Sequence, residues 1–389
     1  MRQSGNVLKP TGGGCQRLLE AIRHFPSRLR DAGFPLGQGE YLALHRSPKR
    51  NSATTRTWEI IVALFGIGRR ALLGSAGLGI IAAPAILGRA QAQENQNLAI
   101  NRVTPPDIHK FKVGSFQVLV VKDGARASGN PGETFGTNQS PEEVGKLLTD
   151  NFLPADQFVN SFSPTLIDTG SDVILFDTGF GKAGREQGMG RLIEGLAAAG
   201  YMPDDISIVV LTHLHGDHIG GIMEDGKPAF SKARYVTGET EYNFWTDAAR
   251  AGTPAEGNQK AVLANVKPVA DKMTFLKDGG EVVSGITAMA APGHTPGHMI
   301  FNVESAGKRL ILTADTANHF VLSLQRPDWE VRFDMDKAKA AESRKKVFDM
   351  IATDKVAFLG YHMPFPAVGY AEKQETGYRF VPKSYQFDI

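Results

Sequence analysis

Thirteen consecutive residues restrict this chain more than any others. Ile206-Ser207-Ile208-Val209-Val210-Leu211 is an apolar run of the kind that forms a buried strand, and Thr212-His213-Leu214-His215-Gly216-Asp217-His218 follows it directly. Three imidazoles and a carboxylate in six positions are donors that zinc and its first-row neighbours accept. A strand end aims alternate side chains the same way, so His213 and His215 share a direction. Gly216 allows a tight bend that turns Asp217 and His218 toward a second position. Solvated loop histidines would have no reason to stand directly behind a buried strand.

The 389 residues exceed one ordinary domain, and the excess lies upstream. Residues 1–66 are Arg-rich, broken by Pro and Gly, and show no sustained period of 3.6 or 2, as expected of a disordered segment or an over-extended start. Residues 67–92 carry Arg69-Arg70, a weakly apolar core from Ser75 to Leu87, and Ala90-Gln91-Ala92. These are the parts of a twin-arginine export signal, with cleavage after Ala92 and a periplasmic or secreted product. The alternative is a signal anchor in the inner membrane, because the apolar run approaches a spanning length. Residues 93–389 then form one catalytic domain.

Charge divides along the same line. Of 43 Lys+Arg and 41 Asp+Glu, 13 and 4 fall in residues 1–92, leaving 30 against 37 and a formal charge of −7. That remainder has no electrostatic footprint for nucleic acid, and its membrane contact is limited to the signal segment. The single cysteine, Cys15, is upstream, so residues 93–389 contain neither disulfide nor thiolate ligand.

Downstream, the pattern of apolar strand followed by His or Asp recurs. Phe111 to Lys122 reads as two strands around Gly114, and Gly124 to Thr137 as a polar, Gly-rich loop. Ser140-Pro141-Glu142-Glu143 opens a helix through Leu148, and Thr165 to Gly179 is strand, turn, strand, ending in Asp177-Thr178-Gly179. Asp168 reads as a turn carboxylate, and on the residues alone Asp177 reads the same way. Leu192 to Gly200 is a helix with a Gly stop, and a short helix is expected to begin at Ile219. Glu239 to Arg250 is a helix whose Tyr242, Phe244 and Trp245 either fill the core or line a pocket.

Strands at Val282–Ala291 and Met299–Val303 flank Pro292-Gly293-His294-Thr295-Pro296-Gly297-His298, and Arg309 to Ala314 runs into Asp315. A helix over Asp336–Ala352 precedes a closing strand from Val356 that ends at His362. His109 has no assignable role, nor does His319, which lies in the loop after Asp315 within reach of a substrate.

His-x-His-x-Asp-His after a strand resembles the signature of the metallo-β-lactamase superfamily, and Gly293-His294-Thr295-Pro296-Gly297-His298 resembles that superfamily's next element. Five of the eight histidines beyond residue 92 fall on the superfamily's ligand positions. The resemblance implies a four-layered αββα sandwich of the α/β class with two divalent metals along one edge. Zinc is the first expectation, with manganese, cobalt or iron as alternatives. His213, His215 and His294 would hold one ion, Asp217, His218 and His362 the other, with Asp315 bridging. Asp177 and His298 would support these ligands from behind.

A water shared by the two ions would be the nucleophile, oriented by Asp217. Flavin-linked di-iron reductases carry Glu where this chain has His215, and the Cys-using β-lactamases need a thiolate that it lacks. Tyr242-Asn243-Phe244-Trp245 and Gly377-Tyr-Arg-Phe-Val-Pro-Lys-Ser-Tyr385 resemble the methyl parathion hydrolase and lactonase-like branch. That branch implies a metal-dependent hydrolase of small-molecule lactones, aryl or carboxylic esters or phosphotriesters, in a homodimer. The other readings are a β-lactamase and a non-catalytic periplasmic metal-binding protein.

Overall fold

The computed structural model of the chain describes residues 107–384. The segments 1–66 and 67–92, with their expected export signal, lie outside the described residues. Among the described residues no helix is long and apolar enough to cross a membrane.

Two seven-stranded sheets carry the fold. The first runs Ile108–Val113, Phe116–Val121, Thr165–Asp168, Val173–Phe176, Ile208–Val210, Arg234–Gly238 and Met273–Leu276 from edge to edge. The second runs Glu281–Val283, Ile286–Ala290, Met299–Ser305, Lys308–Ala314, Ala357–Gly360, Val368–Gln374 and Gly377–Pro382. Side chains alternate across a strand, so each strand of the first sheet feeds two cores. Val118, Val120, Ile208 and Val210 point at the second sheet and pack with Phe301, Leu310 and Phe358, while Leu119, Val121 and Val209 point outward.

The outward side chains of the first sheet are covered by Leu192 and Leu196 of the helix Leu192–Ala199, by Trp245 and by Val262. Helix Lys337–Asp354 supplies Val347, Phe348 and Ile351 against the second sheet. The result is the αββα sandwich expected from the sequence.

Local signals placed most elements. Ser140 accepts from the Glu143 N–H while the Glu143 side chain accepts from the Ser140 N–H, so the capping box opens the helix Pro141–Asp150. Gly200, in the left-handed region, stops the helix Leu192–Ala199.

Four expectations are corrected. Gly124–Ser128 is a strand, not a loop, because it pairs antiparallel with Phe158–Phe162, a partner 34 residues away that turn chemistry does not announce. The short helix is Gly216–Ile219, with His215 at its N-cap, so Asp217 and His218 are themselves helical. Helix Glu239–Thr246 stops at Asp247, whose carboxylate caps a separate turn over Ala248–Arg250. Ala357–Gly360 is interior to its sheet, since Val368–Gln374 and Gly377–Pro382 add two further strands beyond it.

Candidate metal centre

Strand ends on one edge of the sandwich deliver the polar residues. Val210 leads to His213, His215, Asp217 and His218; Ala290 leads to His294; Ala314 leads to Asp315; Gly360 leads to His362. Ala314 has a positive φ of 43° at a register shift between its strand and Ala357–Gly360, and that bend turns the chain where Asp315 leaves the sheet.

Three overlapping groups could hold a metal: His213, His215 and His294; His213, His218 and Asp315; and Asp217, His218 and His362. Within each, the donor atoms lie within 4.8 Å of one another. His215 Nδ1 stands 3.2 Å from His213 Nε2 and 3.0 Å from His294 Nε2. Asp315 Oδ2 lies 3.0 Å from His362 Nε2, 3.3 Å from His294 Nε2 and 3.9 Å from His213 Nε2, while its Oδ1 is 3.2 Å from His218 Nε2. Asp217 Oδ2 is 3.5 Å from His218 Nε2 and 3.6 Å from His362 Nε2. Asp315 therefore joins the two sets of three.

The hydrogen bonds behind the rings fix which nitrogen carries a proton. His218 Nδ1 donates to Asp177 at 2.8 Å, His294 Nδ1 to Asp334 at 2.9 Å, and His362 Nδ1 to the Ser161 carbonyl at 2.9 Å. His213 Nδ1 donates to Thr212 Oγ1, whose own proton goes to Asp177. With Nδ1 engaged in these bonds, all four rings turn Nε2 toward the same small volume. His218 Nε2 and Asp315 Oδ1 are buried there without a hydrogen-bond partner.

Buried polar atoms without partners are costly, and converging lone pairs repel. A divalent cation satisfies both, and an all-imidazole and carboxylate donor set suits zinc or a neighbouring metal. The residues therefore fit the group.

Electrostatics point the same way. Burial, then the charge of its neighbour His218, holds His213 well below the ordinary imidazole range, and burial and His294 do the same to His215. Burial opposes charge on His294 too, but Asp315 and Asp334 outweigh it and raise that ring to about 9. His218 is likewise raised, against its burial, by Asp315, Asp177 and Asp217. Burial works against ionised Asp315, yet His362 and His218 hold it well below the usual carboxylate range. The carboxylates create a field that draws positive charge into a space where two of the rings refuse a proton.

The supporting residues sort clearly. Asp177 accepts from Thr212 N–H, Thr212 Oγ1 and His218 Nδ1, so it is a brace for the metal loop, not a free turn carboxylate. Asp168 is the turn carboxylate, taking the Gly170 N–H and the Tyr201 hydroxyl. His298 donates Nδ1 to the Ala291 carbonyl and accepts the Asp315 N–H on Nε2, which keeps it behind the centre.

One expectation about a pocket residue is corrected, and one open alternative is decided. His319 is buried, and its Nδ1 accepts from the N–H groups of Val321 and Leu322 while its ring packs on Phe135 and Phe158, so it ties down its own loop. Trp245 is buried behind His215, with ring centroids 5.9 Å apart, and is not among the residues lining the cavity. His109 lies on the edge strand Ile108–Val113, beside Phe111 and opposite Val120, and is not among the residues lining the cavity.

Three braces escaped the sequence reading. Glu241, fully buried, accepts from Leu214 N–H and Trp245 Nε1 on one oxygen and from Thr295 Oγ1 and Gly297 N–H on the other. One carboxylate thereby clamps the loop of His213 and His215 to the loop of His294, and a Cβ at Gly297 would collide with the Glu241 backbone. Asp334 accepts from His294 and from Arg344, which is itself buried and also donates to the carbonyls of Thr316 and Pro327. The one local signal was Glu241 four residues before Trp245, which places both on one helix face.

The centre opens into a cavity of about 310 Å³ lined by Arg126, Asn160, Phe162, Phe180, Asn258 and Phe333 along with His215, Asp217, His294, Asp315 and His362.

Comparison with known proteins agrees with this geometry. A family model described as the metallo-β-lactamase superfamily matches residues 163–352. An N-acyl homoserine lactonase of Bacillus cereus is 26% identical over 195 residues, 50% of this chain and 67% of that protein. The solved structure of AidC, a dizinc quorum-quenching lactonase in complex with a product, aligns with a TM-score of 0.68 at 27% identity, covering 72% of this chain and 99% of that one. A hydrolase of the β-lactamase superfamily, AbOPH, aligns at 0.66 and 25% identity over 73% of this chain and 99% of its own.

Proposed function

We propose that this chain, a metal-dependent hydrolase belonging to the metallo-β-lactamase superfamily, uses two divalent ions, zinc first, to open lactones or cleave aryl and carboxylic esters, with phosphotriesters as secondary substrates. The observation that carries this reading is the convergence of seven donor side chains on one small volume, with four Nε2 lone pairs fixed inward by bonds behind the rings. The lactonase relatives support the substrate class.

In this reading His213, His215 and His294 hold one ion and Asp217, His218 and His362 the other, with Asp315 shared. The chemistry supplied by ions bound there is polarisation of the scissile C=O or P=O and a water made nucleophilic near neutral pH. Asp217, partly exposed to the cavity, accepts a proton of the attacking water on its carboxylate and returns it to the leaving oxygen. Tyr361 donates its hydroxyl to the Asp217 carbonyl at 2.6 Å and lays its ring on His218, which holds the helical turn of both residues in place. Phe162, Phe180 and Phe333 give the cavity an apolar wall that receives the substrate's hydrocarbon part.

The test is metal content by mass spectrometry on the full chain, with hydrolysis of an acyl-homoserine lactone, an aryl ester and a phosphotriester before and after chelation. Two equivalents of metal with chelator-sensitive turnover, fastest on lactone or aryl ester, is the expected result. A single iron, or two ions without turnover on any of the three, would overturn the reading and move the search to oxygen chemistry or β-lactams.

Export by the twin-arginine route is part of the same proposal and rests on Arg69-Arg70 and Ala90-Gln91-Ala92. N-terminal sequencing of the protein recovered from the periplasm should begin at Gln93, and Arg69→Lys with Arg70→Lys should keep it in the cytoplasm. An intact N-terminus on a membrane-bound product would favour the signal anchor.

A further inference from the structure

Five of the seven donor side chains, His215, Asp217, His294, Asp315 and His362, account for much of the cavity lining, and the remaining side chains divide into an apolar part and a polar part. Phe162, Phe180 and Phe333 form the first; Arg126, Asn160 and Asn258 form the second. Asn258 already donates its amide to the Leu214 carbonyl. Arg126 is different: it is the one Lys or Arg side chain lining this cavity, it is exposed, and among the described residues its guanidinium meets no carboxylate or other partner.

Its position is built, not incidental. In the antiparallel pair of Gly124–Ser128 with Phe158–Phe162, Arg126 stands directly opposite Asn160, so the two side chains share a face. Phe162, two residues from Asn160, shares it too. The residue between them, Ser161, gives its carbonyl to His362. The same two-stranded sheet thus orients a donor of the centre and presents a guanidinium, an amide and a phenyl ring to whatever the centre holds.

We propose that Arg126, with Asn160 beside it, is the specificity-determining pair, and that the preferred substrate is an ester or lactone carrying an anionic, carboxylate-type group on the arm away from the scissile bond. This rests on the hydrolase reading above. A guanidinium offers a planar fork that matches a carboxylate bidentately, and a neighbouring amide N–H adds a third donor. The cavity's other ionisable groups are carboxylates and imidazoles of the centre, so Arg126 is the lining group that favours an anion on the substrate's free arm. The apolar wall takes the hydrocarbon between the two ends.

The experiment compares two 4-nitrophenyl esters with the same scissile bond on the metal-loaded full chain. One is the half-ester of adipic acid, with a free carboxylate at the far end, and the other is its methyl ester. Wild type should prefer the acid by about tenfold in kcat/KM, Arg126→Gln should abolish that ratio, and Arg126→Lys should recover part of it.

In parallel, adipate and hexanoate are titrated calorimetrically into the same proteins. Wild type should bind adipate about tenfold more tightly, and Arg126→Gln should bind the two alike. No preference in wild type, or a preference that survives Arg126→Gln, overturns the proposal. If wild type hydrolyses neither ester, the hydrolase reading fails for esters, and the titration still decides the role of Arg126.

Discussion

The two halves of the centre are braced by different mixtures of side chain and main chain. His213, His215 and His294 depend on buried side-chain carboxylates: Glu241 ties their two loops together, and Asp334 orients His294 under the charge of Arg344. Asp217, His218 and His362 depend on Asp177, on the Ser161 carbonyl and on the Tyr361 hydroxyl bonded to the Asp217 carbonyl. A side-chain brace fails with one substitution. A main-chain brace moves only when the strand that carries it moves, so His362 inherits the register of the strand Phe158–Phe162 that holds Ser161.

Asp315 is common to both halves, and its loss should erase the difference between them. Asp315→Ala is expected to lower turnover on the order of a thousandfold and to leave less than two equivalents of metal, read by steady-state kinetics and elemental analysis. A variant that retains both ions would separate the halves after all.

Next in size are substitutions confined to the first half. Arg344→Met leaves the Asp334 carboxylate buried without its cation and should cost about 3–5 kcal/mol in urea unfolding. Glu241→Gln puts an amide N–H against two donors and should cost about 3 kcal/mol, with metal lost from the first half before the second.

Asp177→Asn reaches the second half, because Asp177 Oδ2 takes both the His218 and Thr212 protons. Metal affinity there should fall by about 10–100-fold, measured by competition with a chelator, and by less in the first half, which Asp177 reaches only through Thr212 and His213. Equal losses from both halves would show that the braces act as one unit.

The last expected effect vanishes at neutral pH and concerns the seat of the strand Phe158–Phe162. His319 packs on Phe158 at the start of the strand Phe158–Phe162, and burial lowers its pKa to about 4 from the ordinary imidazole value of 6.5. Above pH 6.5 the ring is neutral folded or unfolded. As pH falls toward 4, the unfolded chain takes up a proton that the folded chain refuses, so stability is lost across that window, on the order of 3 kcal/mol. His319→Asn keeps an acceptor for the Val321 and Leu322 N–H groups but cannot titrate, so its stability should fall less steeply from pH 6.5 to 4. Parallel curves for variant and wild type would remove His319 from the account.

The donors were legible because their signal is local. Buried strands read as apolar runs, and a His or Asp directly after such a run is conspicuous: Leu211 before His213, Ala314 before Asp315, Gly360 before His362. The braces were not legible for the opposite reason. Glu241 looks like an ordinary helical acid, and Arg344 like an exposed base on a Lys-rich helix. Each is buried only because its partners arrive from other parts of the chain, 27 to 56 residues away for the Glu241 bonds to Leu214, Thr295 and Gly297. Gly124–Ser128 failed in the same way, since its composition suits a loop and only its pairing with Phe158–Phe162 makes it a strand.

Periodicity pointed to the alternation of helices and strands, and ligand chemistry with the family resemblance of the ordered motifs pointed to the strand-end donors, because both signals sit within a few residues. Tertiary structure decided which carboxylates stay buried, which nitrogen of each ring faces inward, and which cation lines the cavity. Those depend on desolvation and on hydrogen bonds across the sandwich, and neither exists until the two sheets and their covering helices have closed on one another.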